Sequence, residues 1–186
     1  HFLTAGTIVL LTEHGSEAIR NTYLPPLAQG KWVGTMCMTE AQSGTDLGLI
    51  KTKAQALDDG TYRITGSKIF ISGGDHDMAE NHCHLVLAKL PDAPAGSRGI
   101  SLFVVPKIIP GTEASAGDRN SVSVGSIEKK MGMKANSTCV MNFDGAIGWL
   151  INKPNSGLPS MFTMMNYERL VCGLQGLGAG IASYQG

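Results

Sequence analysis

The chain is poor in aromatic and in charged residues: Phe, Trp and Tyr make up 6% and Asp, Glu, Lys and Arg 16% of its 186 residues. Few aromatics beside 24 glycines point to many turns and close backbone approaches. Lys+Arg 15 offsets Asp+Glu 15, which removes the basic field that a nucleic-acid or membrane-surface protein needs. No apolar run approaches the roughly 18 residues that span a bilayer, since Thr7–Leu11 stops at Thr12-Glu13-His14. A basic stretch followed by an apolar block and a small-residue cleavage site is also missing from the start. Cys37, Cys83, Cys139 and Cys172 form no CxxC pair. That disfavours a disulfide scaffold or zinc ribbon and points to a reducing, cytoplasmic setting. Hydrophobic residues reach 42%, enough to exclude general disorder and to build a core. The chain opens on His1 rather than Met and ends inside a helical pattern, so it reads as part of something longer.

Three zones follow one another. Residues 1–30 read as helical, with Leu3, Ile8 and Leu11 at helical spacing and a stop at His14-Gly15. Ser16 suits the cap of a second helix through Ile19, Tyr23 and Leu24, which Pro25-Pro26 is expected to end. Residues 31–150 alternate β-branched or aromatic runs with turn clusters. The expected strands are Val33–Thr39, Thr52–Leu57, Tyr62–Ile71, His84–Lys89, Ile100–Pro106, Ser121–Ile127 and Thr138–Phe143, with Asp58-Asp59-Gly60 as a hairpin turn. Pro91–Arg98 and Pro110–Asn120 read as exposed loops. Tight turns without helix-length connections predict an antiparallel sheet or barrel. Residues 151–186 return to helix, with Pro159 in the first turn and a stripe of Met161, Met165, Leu170, Leu174, Leu177 and Ile181 expected to be buried. Gly173, Gly176, Gly178 and Gly180 imply close packing against another element. The fold class is therefore α+β, a barrel-like antiparallel β-domain flanked by partial helical segments.

Two loops carry most of the chemistry. Met36-Cys37-Met38-Thr39-Glu40-Ala41-Gln42-Ser43-Gly44-Thr45-Asp46 leaves a strand and gathers hydroxyls, acids and a glycine that lets a ligand approach the backbone. Phe70-Ile71-Ser72-Gly73-Gly74-Asp75 follows another strand and offers similar groups. Each alone is also what an ordinary turn looks like; together they can form two sides of one pocket. Other patterns are weaker. Asp75-His76-Asp77 with His82-Cys83-His84 imitates a metal cluster, because alternate strand residues share a face, but no metal site is expected there. Gly176-x-Gly178-x-Gly180 follows no strand and lacks the spacing of a dinucleotide loop. Met161, Met164 and Met165 read as packing.

In order along the chain, four segments resemble the acyl-CoA dehydrogenase family. They are Met38-Thr39-Glu40 with Ser43-Gly44-Thr45-Asp46; Gly60-x-Tyr62-x-Ile64-x-Gly66-x-Lys68-x-Phe70-Ile71-Ser72-Gly73; Glu128-x-Lys130-Met131-Gly132 with Ser137-Thr138 and Phe143-Asp144; and Asn166-Tyr167-Glu168-Arg169-Leu170. Gly73–Asp77, Gly99–Phe103 and Leu174–Gly178 are similar to the bacterial branch of 3-methylmercaptopropionyl-CoA and large fatty-acyl-CoA dehydrogenases. The resemblance implies the end of an N-terminal helical domain (1–30), a flavin- and acyl-CoA-binding middle β-domain (31–150) and the start of a C-terminal helical bundle (151–186).

It also implies FAD as cofactor, an acyl-CoA substrate oxidised to the trans-2-enoyl-CoA, and electron-transfer flavoprotein as acceptor. An acyl-CoA oxidase and a non-catalytic flavin-binding relative are the alternatives. By resemblance Thr39 donates its hydroxyl to the flavin, Met36 and Met38 line the ring, and Phe70, Ile71 and Ser72 flank another edge. Many relatives carry Trp, Thr and Pro where Phe70, Ser72 and Ala41 stand; Phe keeps a stacking face and Ser a hydroxyl. Gly44 and Thr45 match positions near cofactor and CoA, and Arg169 a helical arginine near the CoA site. Glu168 matches the base of some members, while most place it at a position beyond residue 186. A homo-oligomer is implied for the full-length protein, and weak flavin retention is expected of residues 1–186 alone.

Overall fold

A computed structural model of the chain describes residues 2–111 and 117–186; the expected loop Pro110–Asn120 thus lies partly outside the described residues. Helix α1 (Phe2–His14) and helix α2 (Glu17–Ala28) precede seven strands. These are β1 (Trp32–Cys37), β2 (Lys53–Ala56), β3 (Tyr62–Ser72), β4 (Asn81–Lys89), β5 (Ile100–Pro106), β6 (Val122–Ile127) and β7 (Thr138–Ile151). The long helix α3 (Gly157–Gln185) follows.

Ser16 caps α2 by accepting the Ile19 N–H at 3.2 Å. Pro25 and Pro26 do not end this helix; both lie inside it. Their fixed φ suits helical backbone even though each removes a donor. The real stop is Gly30, at φ 72. There the Gly30 N–H bonds the Leu27 carbonyl and the Lys31 N–H the Pro26 carbonyl, closing a left-handed C-terminal cap.

The strands join as a ring: β4–β5, β5–β7, β7–β3 and β3–β2 are antiparallel pairs, and β2 returns to β4 in parallel through a single paired position, Lys53 with Lys89. β6 lies along β7. The expectation of purely antiparallel pairing fails at β1, which runs parallel to β4 from Trp32/Asn81 to Cys37/Val86. The β2–β3 hairpin and its flanking loops intervene between them, long enough for the crossover that parallel pairing requires. Asp58-Asp59-Gly60 does turn β2 into β3, with Gly60 at φ 83 and the Leu57 N–H donating to the Thr61 carbonyl at 2.9 Å.

β4 is buried along nearly its whole length because both faces are covered. Cys83, Leu85 and Leu87 pack with Leu10, Leu11, Ile19, Tyr23, Leu27, Met161 and Met164 of the helices. Val86 and Ala88 instead face the ring interior with Ile64, Ile71, Phe103, Val105 and Phe143. The last strand runs to Ile151, past the expected end at Phe143. A bulge at Gly145 (φ 73) lets it bend and continue, where the sequence reads as a break. The expected apolar stripe of α3 is only partly buried: Met161 is at 0% exposure and Met165 half-buried, but Leu170, Leu174, Leu177 and Ile181 face solvent. That second half meets no other element of the described residues closely enough to be covered, and its glycines have open space around them.

Candidate functional site

The ends of β1 and β3 are bound to one another, and a bulge makes this possible. On β3, three steps from Lys68 to Ile71 face two on β7, from Met141 to Cys139. The extra residue frees the Ile69 N–H from the ladder, and it donates instead to the Thr39 carbonyl at 2.9 Å. Phe70 is driven to φ 59 and turned outward, leaving it 59% exposed. A non-glycine residue held in the left-handed region costs on the order of 1–3 kcal/mol, and such strain clusters at ligand-binding positions.

Beneath this junction lies a buried ion pair. Lys68, on the inward face of β3, is at 0% exposure and Glu40 at 4%. The Lys68 ammonium donates to Glu40 Oε1 at 2.8 Å and to the Met38 carbonyl at 3.1 Å. Glu40 also accepts from the Thr52 hydroxyl, from the Thr52 N–H at 3.1 Å, from the Lys51 N–H at 2.7 Å and from Gln42 Nε2 at 2.6 Å. Burial alone would raise the Glu40 carboxyl; the charge of Lys68 and these hydrogen bonds outweigh it and hold the pKa at about 2. Burial pulls Lys68 downward while Glu40 opposes that shift. Glu40 is therefore the peg on which the loop from Met38 to Thr52 hangs. The resemblance gives Glu40 a structural place rather than the base's, and Lys68 stands in the second motif without a role, although the period-2 pattern through Ile64 and Lys68 places a lysine on the buried face, where it needs a carboxylate.

The rest of the loop is a tight turn. Glu40 and Ser43 exchange backbone hydrogen bonds at 3.0 and 2.9 Å, the Ser43 hydroxyl donates to the Asp46 carbonyl, and Asp46 caps a short helical turn, Leu47–Leu49, by accepting from the Gly48 N–H. Gly44 and Thr45 are exposed at its tip, and a side chain at Gly44 would meet nothing within 4 Å.

Met36, Met38, Thr39 and Ser72 are half-buried around this junction, and neither the Thr39 nor the Ser72 hydroxyl bonds another described residue. Ile71 differs: at 2% exposure its side chain belongs to the ring interior, so only its backbone is available to a ligand. Ser72 sits opposite Thr138 on β7, and the Gly73 N–H donates to the Ser137 carbonyl at 2.7 Å, which fixes the second loop.

Glu168 and Arg169 lie on α3. The Glu168 carboxyl rests against Gly6 of α1, in space that a side chain there would fill, and Oε1 is buried without a partner. Burial raises its pKa. Arg169 is exposed, bonding Asn166 Oδ1 at 3.1 Å and lying 5.6 Å above the Phe162 ring. Of the residues that imitate a metal cluster, His82 has no hydrogen-bond partner at either ring nitrogen among the described residues, and its Nδ1 lies 3.9 Å from Asp75 Oδ1. Asp75 pairs with Lys107, while the His82 ring lies 4.5 Å from that of His76 and 6.1 Å from that of His84. His84 Nδ1 meets the Thr35 hydroxyl at 2.8 Å.

The architecture is a β-ring with the strained Phe70 at one end and helices packed on one side. Residues 35–146 match the family model described as "Acyl-CoA dehydrogenase, middle domain", and the chain belongs to the acyl-CoA dehydrogenase family. It is 48% identical to 3-methylmercaptopropionyl-CoA dehydrogenase of Ruegeria pomeroyi over 98% of this chain and 31% of that protein. It is 41% identical to a butyryl-CoA dehydrogenase of Syntrophomonas wolfei over 92% of this chain and 30% of that protein. Among solved structures it resembles Caenorhabditis elegans ACDH-11 in complex with C11-CoA, at TM-score 0.75 and 28% identity, over 90% of this chain and 29% of that one. The chain thus spans less than a third of the length of these relatives. No helix among the described residues is long and apolar enough to cross a membrane.

Proposed function

We propose that this chain supplies the flavin-gripping core of an FAD-dependent acyl-CoA dehydrogenase that converts an acyl-CoA to its trans-2-enoyl-CoA. The single observation that carries the reading is the junction of the two loops through Ile69, Thr39, Lys68 and Glu40. FAD, when bound, supplies acceptance of the β-hydrogen as hydride. The Thr39 and Ser72 hydroxyls donate toward the polar edge of the ring, Met36 and Met38 offer apolar contact with backbone groups, and Phe70 covers the exposed side. The Glu40–Lys68 pair keeps these groups from moving, so their dipoles are already oriented when negative charge develops. Gly44 and Thr45 leave room for the CoA chain, with Arg169 within the α3 segment on the same substrate.

Glu168 removes the α-proton. Its carboxyl, half-buried and with Oε1 unpartnered among the described residues, is a stronger base than a solvated one and takes the proton as the thioester α-carbon is deprotonated. Electron-transfer flavoprotein is the proposed acceptor, a homo-oligomer the proposed assembly and the cytoplasm the proposed location. Anaerobic titration of the intact protein with a panel of acyl-CoAs tests the reading. The flavin absorbance is expected to bleach with one or more of them, and Glu168→Gln to slow the bleaching by at least a hundredfold. Bleaching at the original rate in that variant places the base elsewhere. Rapid peroxide formation in air argues for an oxidase.

A further inference from the structure

Three asparagines of the chain, Asn120, Asn136 and Asn155, precede a serine, and none precedes a glycine. Asparagine is thermolabile, because the backbone nitrogen of the next residue can attack the side-chain amide carbon, and a small next residue hinders that attack least. The three pairs share their reacting atoms but not their surroundings.

Asn120 is 4% exposed and tethered by its whole side chain. Its Nδ2 donates to the Pro106 and Ile147 carbonyls at 2.8 Å, and its Oδ1 accepts from the Ser121 N–H at 2.9 Å and the Ile147 N–H at 2.8 Å. Asn155 is exposed, but the nitrogen that would attack it belongs to Ser156 and already donates to the Lys153 carbonyl at 3.3 Å. Asn136 lies half-buried in the loop between β6 and β7, and neither its side chain nor the Ser137 N–H is hydrogen-bonded among the described residues. The Lys130 ammonium donates to the Asn136 main-chain carbonyl at 2.8 Å. That oxygen and the Ser137 nitrogen belong to one planar, resonance-coupled peptide. The cation therefore draws electron density from the nitrogen and favours its deprotonated form, the attacking species.

We propose that Asn136-Ser137 is a deamidation site activated by Lys130. The Ser137 nitrogen bonds to the Asn136 side-chain carbon, its proton passes through solvent to the departing amide nitrogen, and ammonia leaves. Water then opens the resulting succinimide at either carbonyl, giving aspartate or isoaspartate; nothing is oxidised or reduced. Isoaspartate adds a methylene to the main chain beside Ser137, whose carbonyl accepts from the Gly73 N–H at 2.7 Å and whose hydroxyl donates to the Asp75 carbonyl at 2.9 Å. The longer chain displaces both contacts and frees the loop Gly73–Asp75. The site needs no bound cofactor and stands apart from the flavin reading.

The intact protein is incubated at mildly alkaline pH, folded and in concentrated urea, and peptide mapping by mass spectrometry follows the conversion of amide to acid at each of the three asparagines. Urea removes the surroundings and supplies the reference ratio of Asn136 to Asn155. Lowering the pKa of the nitrogen by one unit multiplies its deprotonated fraction by about ten, so in the folded protein that ratio should rise by about tenfold. Lys130→Gln should slow Asn136 by about threefold or more while Asn155 keeps its rate, and Lys130→Arg should preserve the lead. Hydrogen exchange at the Gly73 amide should be faster in the converted protein. A folded ratio no higher than the one in urea, or an Asn136 rate unchanged in Lys130→Gln, overturns the site. Gly73 exchange unchanged after conversion overturns its link to the loop.

Discussion

Replacing Lys68 by Met tests whether the loop after β1 hangs on a buried charge pair. Methionine is close to lysine in length and suits the ring interior, so the change removes charge and hydrogen bonds rather than volume. Glu40 keeps its bonds from Thr52, Lys51 and Gln42 but loses the only cation paired with it among the described residues. Breaking a buried pair by removing one partner costs about 3–5 kcal/mol. For a domain of this size each kcal/mol is roughly 2–4 °C in Tm, so the midpoint should fall by about 6–20 °C. The pH dependence adds a sign. In the wild type the Glu40 contribution is complete above its unfolded value near 4.5 and is lost as pH falls through about 2. In Lys68→Met the orphaned carboxylate protonates more readily, so mild acid should narrow the gap between variant and wild type. Glu40→Gln added to Lys68→Met should recover much of the loss, because the uncompensated charge is gone. Urea unfolding followed by circular dichroism measures all three proteins. A Lys68→Met loss below about 1 kcal/mol, or a double variant no better than the single one, would refute the reasoning.

Other consequences follow from the packing. Burial, aided by the neighbouring His76 and Lys107 and opposed by Asp75, holds His82 at about 4; burial and His82, again against Asp75, hold His84 at about 3. Each imidazole is thus neutral when folded but protonates near 6.5 when unfolded. Stability should therefore be full above pH 6.5 and fall as pH drops toward 4 and then 3, by roughly 3 kcal/mol for His82 and roughly 4–5 kcal/mol for His84, and His82→Gln should flatten that slope in urea titrations. Gly34 lies against Thr7 of α1, where a new Cβ would overlap the threonine side chain. Gly34→Ala should cost about 1–3 kcal/mol by forcing α1 from β1, whereas Gly44→Ala, with open space around it, should stay within about 0.5 kcal/mol.

The strands were legible because their β-branched runs alternate between turn clusters, and the helix starts because Ser16 and Pro159 sit where helix geometry wants them. Pairing was less so: the parallel contact of β1 with β4 joins residues far apart, and nothing local in Trp32–Cys37 distinguishes it from an antiparallel partner. Pro25-Pro26 misled because a missing donor marks a helix end only when the following residues have no reason to stay helical. Here Leu27 is buried at 2% exposure and Gly30 makes the cap. The loops at Thr39 and Ser72 were legible as motifs, but not the reason they stand together. That reason is a one-residue bulge at Ile69-Phe70 and a lysine turned inward, both set by register with β7. The outer half of α3 carries a core-like pattern that nothing local converts into burial.

The central claim is that the Thr39 and Ser72 hydroxyls grip a flavin, and a direct FAD-binding titration of the intact protein measures it. Wild type is expected to bind FAD, with Thr39→Ala and Ser72→Ala each weakening the affinity by about tenfold, the loss of one hydrogen bond to a charge-bearing acceptor. Absence of FAD binding by the wild type, or wild-type affinity in both variants, would contradict the account.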